Sequence, residues 1–265
     1  MTLRKWTDHI AYTWLQSPPG QALLTLEARL AEELLDGVFG EEALQIGLWG
    51  DRHTFLRYSR TQRSALLADT LWDLDASAGT LAVGELHRLP IASDSVDSVI
   101  LPHSLDFSDR PQAILREVHR VLRADGHLLL LGFRPGGLWG LRRLVPGAGM
   151  PPGAEDLLSD RRLKDWLRLL DMRILSNRGY FFRWPLPGGR TTPSVRWEQR
   201  GQRWWPELSA CYMLSAQKRI NTLTPVRPVW SKTRQVVAGL AEPSTRTLST
   251  QTSRTRFERK HRDLY

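Results

Sequence analysis

Apolar residues recur along this chain in two alternating periods. Leu23, Leu26, Leu30 and Leu34 stand at helical spacing behind Ser17-Pro18-Pro19, a capping serine followed by proline at the first helical position. Gly37 and Gly40 follow the run, so the spacing predicts a helix over 18–36. Ala43-Leu44-Gln45-Ile46-Gly47 is a short apolar run ending in glycine, the form of a buried parallel strand entering a turn. Ser64 to Ala68 reads equally as a strand or a helical turn. Thr80 to Gly84 and Ser95 to Leu101 read as further strands, with a turn at Ser93-Asp94-Ser95 between them.

Ser108 and Asp109 offer caps for a helix that carries Ile114, Leu115, Val118, Val121 and Leu122 on one side, and Asp125-Gly126 breaks it. His127 to Phe133 is then an apolar run of strand length. Ser159 to Leu170 repeats the helical period through Leu163, Trp166, Leu167 and Leu170, and Met172 to Phe182 and Ala210 to Gln217 read as two last strands. Strands that alternate with helices in this way imply an α/β domain with a largely parallel sheet covered on both faces.

Composition narrows the class. Of 265 residues 41% are hydrophobic and 25% charged, which is ordinary for a globular domain, and no apolar stretch approaches the roughly 20 residues of a membrane span. Cys211 is the only cysteine, which excludes an internal disulfide and a thiolate zinc site, and a cytoplasmic setting is expected. The net charge of +9 is unevenly placed: residues 218–265 hold 11 Lys and Arg against 3 Asp and Glu. A domain over 1–227 and a basic, disordered tail over 228–265 are expected, the tail offering nonspecific contact with polyanions. Between the last two strands, the excursion 183–206 interleaves arginine and tryptophan. This pattern either packs as a lid or stacks aromatic ligands and bases.

Four segments in order carry a resemblance. Gln45-Ile46-Gly47-Leu48-Trp49-Gly50-Asp51, Gly84-Glu85-Leu86 with Leu89-Pro90, Ser95-Val96-Asp97, and Arg120-Val121-Leu122 leading to Asp125-Gly126 follow the spacing of known motifs. Together they resemble the class I methyltransferases of the type 11 branch. A narrower likeness, over roughly 14–230, is to a proteobacterial group of methyltransferase-like proteins.

The resemblance implies a Rossmann-like fold: a mostly parallel seven-stranded sheet with an antiparallel last strand and helices on both faces. It implies S-adenosylmethionine as cofactor, held by Gln45, Gly47, Glu85 and Leu86. Departures are visible. Trp49 stands where the family has its second glycine and Asp51 where it has the third, Gln45 replaces the usual acid, and Gly50 is out of register by one residue. The ribose-binding acid stays open among Asp69, Asp73 and Asp75.

His103, just past a strand's carboxyl end, could accept a proton from a hydroxyl acceptor with Asp106 orienting it, or simply bond a neighbouring loop. Arg134, with Arg142 and Arg143 nearby, could rim a site for an anionic acceptor or be solvated. The activity expected is methyl transfer to an unidentified small molecule, an anionic one being a candidate. The alternatives are a catalytically silent binding module and an RNA or protein methyltransferase recruited by the tail.

Overall fold

A computed structural model describes residues 13–51, 53–69, 80–141, 157–183 and 195–219. The 228–265 tail, Asp73, Asp75, Arg142 and Arg143 lie outside them. One compact unit spans Met1–Asn221.

Helix α1 covers Pro18–Leu35 and is capped by the Ser17 side chain. Strand β1 (Phe39–Ile46) follows, then a single turn of helix, α2 (His53–Leu56), and strand β2 (Arg60–Ala68). β2 is one strand where the sequence left two readings, and it pairs in parallel with β1 from Arg60 to Leu67. Strands β3 (Thr80–Val83) and β4 (Val96–Pro102) lead to helix α3 (Pro111–Val121). Pro111 sets the start of α3 and Arg110 is its cap, in place of the expected Ser108 or Asp109. Strand β5 (Leu122–Phe133) begins at once, with a register shift against β4 that absorbs Asp125-Gly126. The short helix α4 (Leu138–Leu141), helix α5 (Asp160–Leu169), strand β6 (Met172–Tyr180), helix α6 (Val195–Trp204) and strand β7 (Cys211–Lys218) follow, with a 3-10 turn at Pro206–Leu208 between the last two.

The seven strands lie in the order β3-β2-β1-β4-β5-β7-β6, and only β7 runs antiparallel to its neighbours. β5 is apolar from Leu128 to Phe133, where both of its faces are buried. Leu128 and Leu130 pack with α3 and α5, while Leu129 and Leu131 pack with α1.

Two of the family-like segments are scaffolding. At the amino ends of the strands Asp97 accepts from the Glu41 and Glu42 amides at 2.7 and 2.9 Å and pairs with Arg123. Burial would raise its pKa, but these bonds hold it below the ordinary carboxylate value. Arg120 donates to the carbonyls of Leu89 and Ile91 at 3.0 and 2.8 Å, tying α3 to the loop after β3. Lys218 closes the carboxyl end of α3, donating to the carbonyls of His119 and Leu122.

Candidate active site

The carboxyl ends of β1 to β6 form one rim, the edge on which open α/β sheets bind ligands. The order reverses between β1 and β4, and at that point the chain turns through two left-handed glycines. Gly47 has φ +91°, where a Cβ would collide with the Ser104 hydroxyl, which bonds the Ile46 carbonyl. Gly50, not residue 49, is the next left-handed position, at φ +78°, so the loop is shifted by one residue from the family spacing. Gln45 is buried; its amide donates to the Gly47 carbonyl at 3.1 Å and its Oε1 has no partner.

On the β1–β3 side the rim is polar. Asp69 immediately follows the last residue of β2 and is half-buried. Sequence reasoning left it unassigned because the strand before it was not recognised. Glu85 is exposed two residues beyond β3, Leu86 beside it is buried, and the Gly84 amide bonds the Ala68 carbonyl. A polar hollow of about 470 Å³ lies there, lined by Glu85, His87, Arg88, Ser108, Asp109 and Arg110.

On the β4–β6 side the rim is closed by a network centred on Glu27, a residue that the sequence reading passed over. Glu27 is fully buried on α1, in phase with Leu23 and Ala31. Its Oε1 accepts from the Tyr180 hydroxyl and pairs with His103 Nε2, each at 2.8 Å, and its Oε2 accepts from Trp49 Nε1 at 2.8 Å. The Trp49 side chain is buried, its ring 4.4 Å from that of His103, with Phe107 and Phe133 at 5.8 and 5.9 Å. A carboxylate at helical spacing inside an apolar stripe was the available signal.

His103 takes a left-handed backbone conformation, φ +55°, which is uncommon outside glycine. Its Nδ1 meets Asp106 at 3.0 Å, the expected partner, and Asp106 also accepts from the Phe133 amide at 2.9 Å. Burial opposes a charged ring, yet Glu27 and Asp106 together outweigh it and lift the His103 pKa to about 9. Burial pulls Asp106 upward as well. Within this pair the imidazole keeps the proton, because carboxylates face both of its nitrogens. His103 is therefore a sealed imidazolium near neutral pH, with no free lone pair with which to take a proton from an acceptor.

Arg134 follows β5 as expected, but its guanidinium is engaged within the protein. Nη2 pairs with Asp160 at 3.3 Å, and Nη1 reaches the Pro206 carbonyl at 2.8 Å and Glu207 at 3.3 Å. Asp160 is held by Asn177 and Lys164 as well. A basic rim open to an anion is not what these contacts build. Among the described residues no group of His, Cys, Asp and Glu is arranged to hold a metal ion.

Comparison with known proteins shows what this fold is similar to. The family model described as a methyltransferase domain matches residues 51–130, starting just past Trp49 and Gly50. The fold aligns with an S-adenosylmethionine-dependent methyltransferase from Thermotoga maritima at a TM-score of 0.56, with 15% identity, covering 80% of this chain and 99% of that one. Residues 51–130 thus match a methyltransferase domain, and the chain has the fold of class I methyltransferases. A methyltransferase from Archaeoglobus fulgidus aligns at a TM-score of 0.54 and 15% identity, over 73% of this chain and 93% of its own. Among curated proteins, YafS of Escherichia coli is 34% identical over 139 residues, 52% of this chain and 54% of its own length. The malonyl-[acyl-carrier protein] O-methyltransferase of Laribacter hongkongensis is 38% identical over 94 residues, 36% of this chain and 31% of its own. The chain thus spans about half, or less, of the curated relatives it matches.

The aligned Thermotoga maritima and Archaeoglobus fulgidus proteins are S-adenosylmethionine-dependent methyltransferases, and the β1–β3 residues of this chain suit that cofactor. Gln45 Oε1 is a buried acceptor with no protein partner, Gly47 keeps the loop backbone clear, and two carboxylates end the adjacent strands β2 and β3.

Proposed function

We propose that this domain is an S-adenosylmethionine-dependent methyltransferase acting on a small-molecule acceptor. The observation that carries the proposal is the succession of Gly47, Asp69 and Glu85 at the carboxyl ends of three neighbouring parallel strands. Asp69 would hold the ribose hydroxyls, Glu85 and Leu86 the adenine, and Gln45 and Gly47 the amino-acid end. The cofactor supplies an electrophilic methyl group when bound. In-line displacement at that carbon relies mainly on positioning, so a base is dispensable and His103 serves as a fixed cation that holds Trp49 in place.

The closed β4–β6 side favours a second reading, a binding module without turnover. Calorimetric titration with S-adenosylhomocysteine tests the first reading, with Asp69→Asn and Glu85→Ala each expected to weaken binding about tenfold, the loss of one charge-assisted hydrogen bond. Gly47→Val should abolish it. No binding by the native chain at millimolar ligand would defeat both readings. Binding with no methylated product from any acceptor pool would select the second.

A further inference from the structure

The outer surface of α6 has no part in the site above. Its inner side is fixed: Glu198 is buried and accepts from the Phe181 and Phe182 amides at 3.0 and 3.2 Å, and Trp197 Nε1 donates to the Phe182 carbonyl at 2.7 Å. Outside, Trp197, Trp204 and Trp205 are 47%, 69% and 55% exposed, against eleven tryptophans in a chain that buries Trp49 and Trp139 completely enough to count them as core. Exposed indoles clustered on one short helix are costly unless something covers them. Arg196, Arg200 and Arg203 alternate with them and are exposed, and none forms an ion pair with a described residue. Glu198, the only acid on α6, faces inward. Phe182, Trp197, Trp204, Trp205 and Leu208 enclose a groove of about 470 Å³ in which, among the described residues, Arg200 is the single charged side chain.

We propose that this face docks on the surface of an anionic phospholipid bilayer. The three indoles would sit at headgroup depth, where an amphipathic ring is most stable, and the groove would take up acyl-chain segments. The three arginines complement the lipid charge. Because Glu198 and Trp197 already hold α6 to the body, docking orders nothing new. A nucleic-acid surface fits less well, since the groove walls present almost no polar groups to base edges.

The test uses the full chain, whose 218–265 segment is itself basic, so charge and apolar contact have to be separated. Sedimentation with phosphatidylcholine vesicles, with and without phosphatidylglycerol, is run at low salt and at roughly 0.5 M salt, where the screening length is only about 4 Å. Binding to the anionic vesicles, with part of it surviving high salt and the emission of the indoles shifting to the blue, is the expected result. The Trp204→Ser, Trp205→Ser double variant should lose the salt-resistant part, about tenfold or more in partitioning, without a change in melting temperature. Arg200→Gln with Arg203→Gln should weaken binding at low salt. The proposal fails if native binding disappears entirely at high salt, or if the tryptophan variant partitions like the native chain. It also fails if a single-stranded oligonucleotide, and not the vesicles, is the ligand lost in that variant.

Discussion

The two halves of the rim have the same backbone plan and opposite interiors. At the ends of β1 to β3 carboxylates stand half-buried or exposed beside a polar hollow. At the ends of β4 to β6 a cation, two carboxylates, an indole and a phenol are sealed under α1. An exposed carboxylate can be offered to a ligand without destabilising the fold, whereas a sealed one is part of the fold. Substitutions should therefore separate the halves, with the β4–β6 side answering in stability and the β1–β3 side in ligand affinity.

The strongest break is at the centre of the network. Glu27→Ala strips the partner from a buried imidazolium and should cost about 3–5 kcal/mol in urea unfolding, whereas Glu27→Gln, which keeps acceptor and shape, should cost clearly less. Equal losses in the two variants would show that charge is not what holds α1.

Next comes pH. His103 has its folded pKa raised from 6.5 to about 9, so the stability it contributes is complete below about 6.5 and lost as pH rises through about 9. The free energy of unfolding should fall between those values by a few kcal/mol, on the order of 3. His103→Gln should flatten that slope; an unchanged slope would mean that the ring is neutral in the native protein.

Trp49→Phe sharpens the comparison further. It keeps the packing on His103 and Phe133 but removes the indole bond to Glu27, for an expected loss of about 1–3 kcal/mol. Affinity for S-adenosylhomocysteine should stay within about twofold if Trp49 belongs to the sealed half alone. A large loss of affinity would instead place it against the cofactor. Least disruptive is Glu85→Ala: a melting temperature within a degree or so of native is expected, since an exposed loop carboxylate carries little stability, while ligand affinity falls.

The same contrast governs what could be read from the sequence. Strands such as 128–133 and 211–216 announce themselves because both faces are buried and the run is largely apolar. β2 was obscure, since Arg60, Thr61, Gln62 and Arg63 form its polar first half, and missing it cost the assignment of Asp69. The family spacing pointed to the β1–β3 residues. It was silent on Glu27, whose role depends on Tyr180 and His103, partners that no local pattern brings together. His103 and Asp106 were paired correctly by proximity, but a burial that converts a candidate base into a locked cation is a property of packing. The mostly parallel seven-stranded sheet with its antiparallel last strand followed from the resemblance, whereas the order of the strands came from the structure. Arg134 was placed at the end of β5, yet nothing near it in sequence showed that Asp160 and Glu207 would occupy its guanidinium.

Glu27 also has a history in time. Its bond partners lie 22, 76 and 153 residues further along the chain. At a synthesis rate of about 5–20 residues per second, the last of them, Tyr180, leaves the ribosome roughly 8–30 s after Glu27 does. His103, the cation that pairs with Glu27, emerges about half-way through that interval, and until then α1 presents an apolar stripe with an unneutralised carboxylate in its middle. The network that seals the finished domain is therefore complete only once the sixth strand has been made, and the Tyr180 hydroxyl is the last of the Glu27 partners to become available.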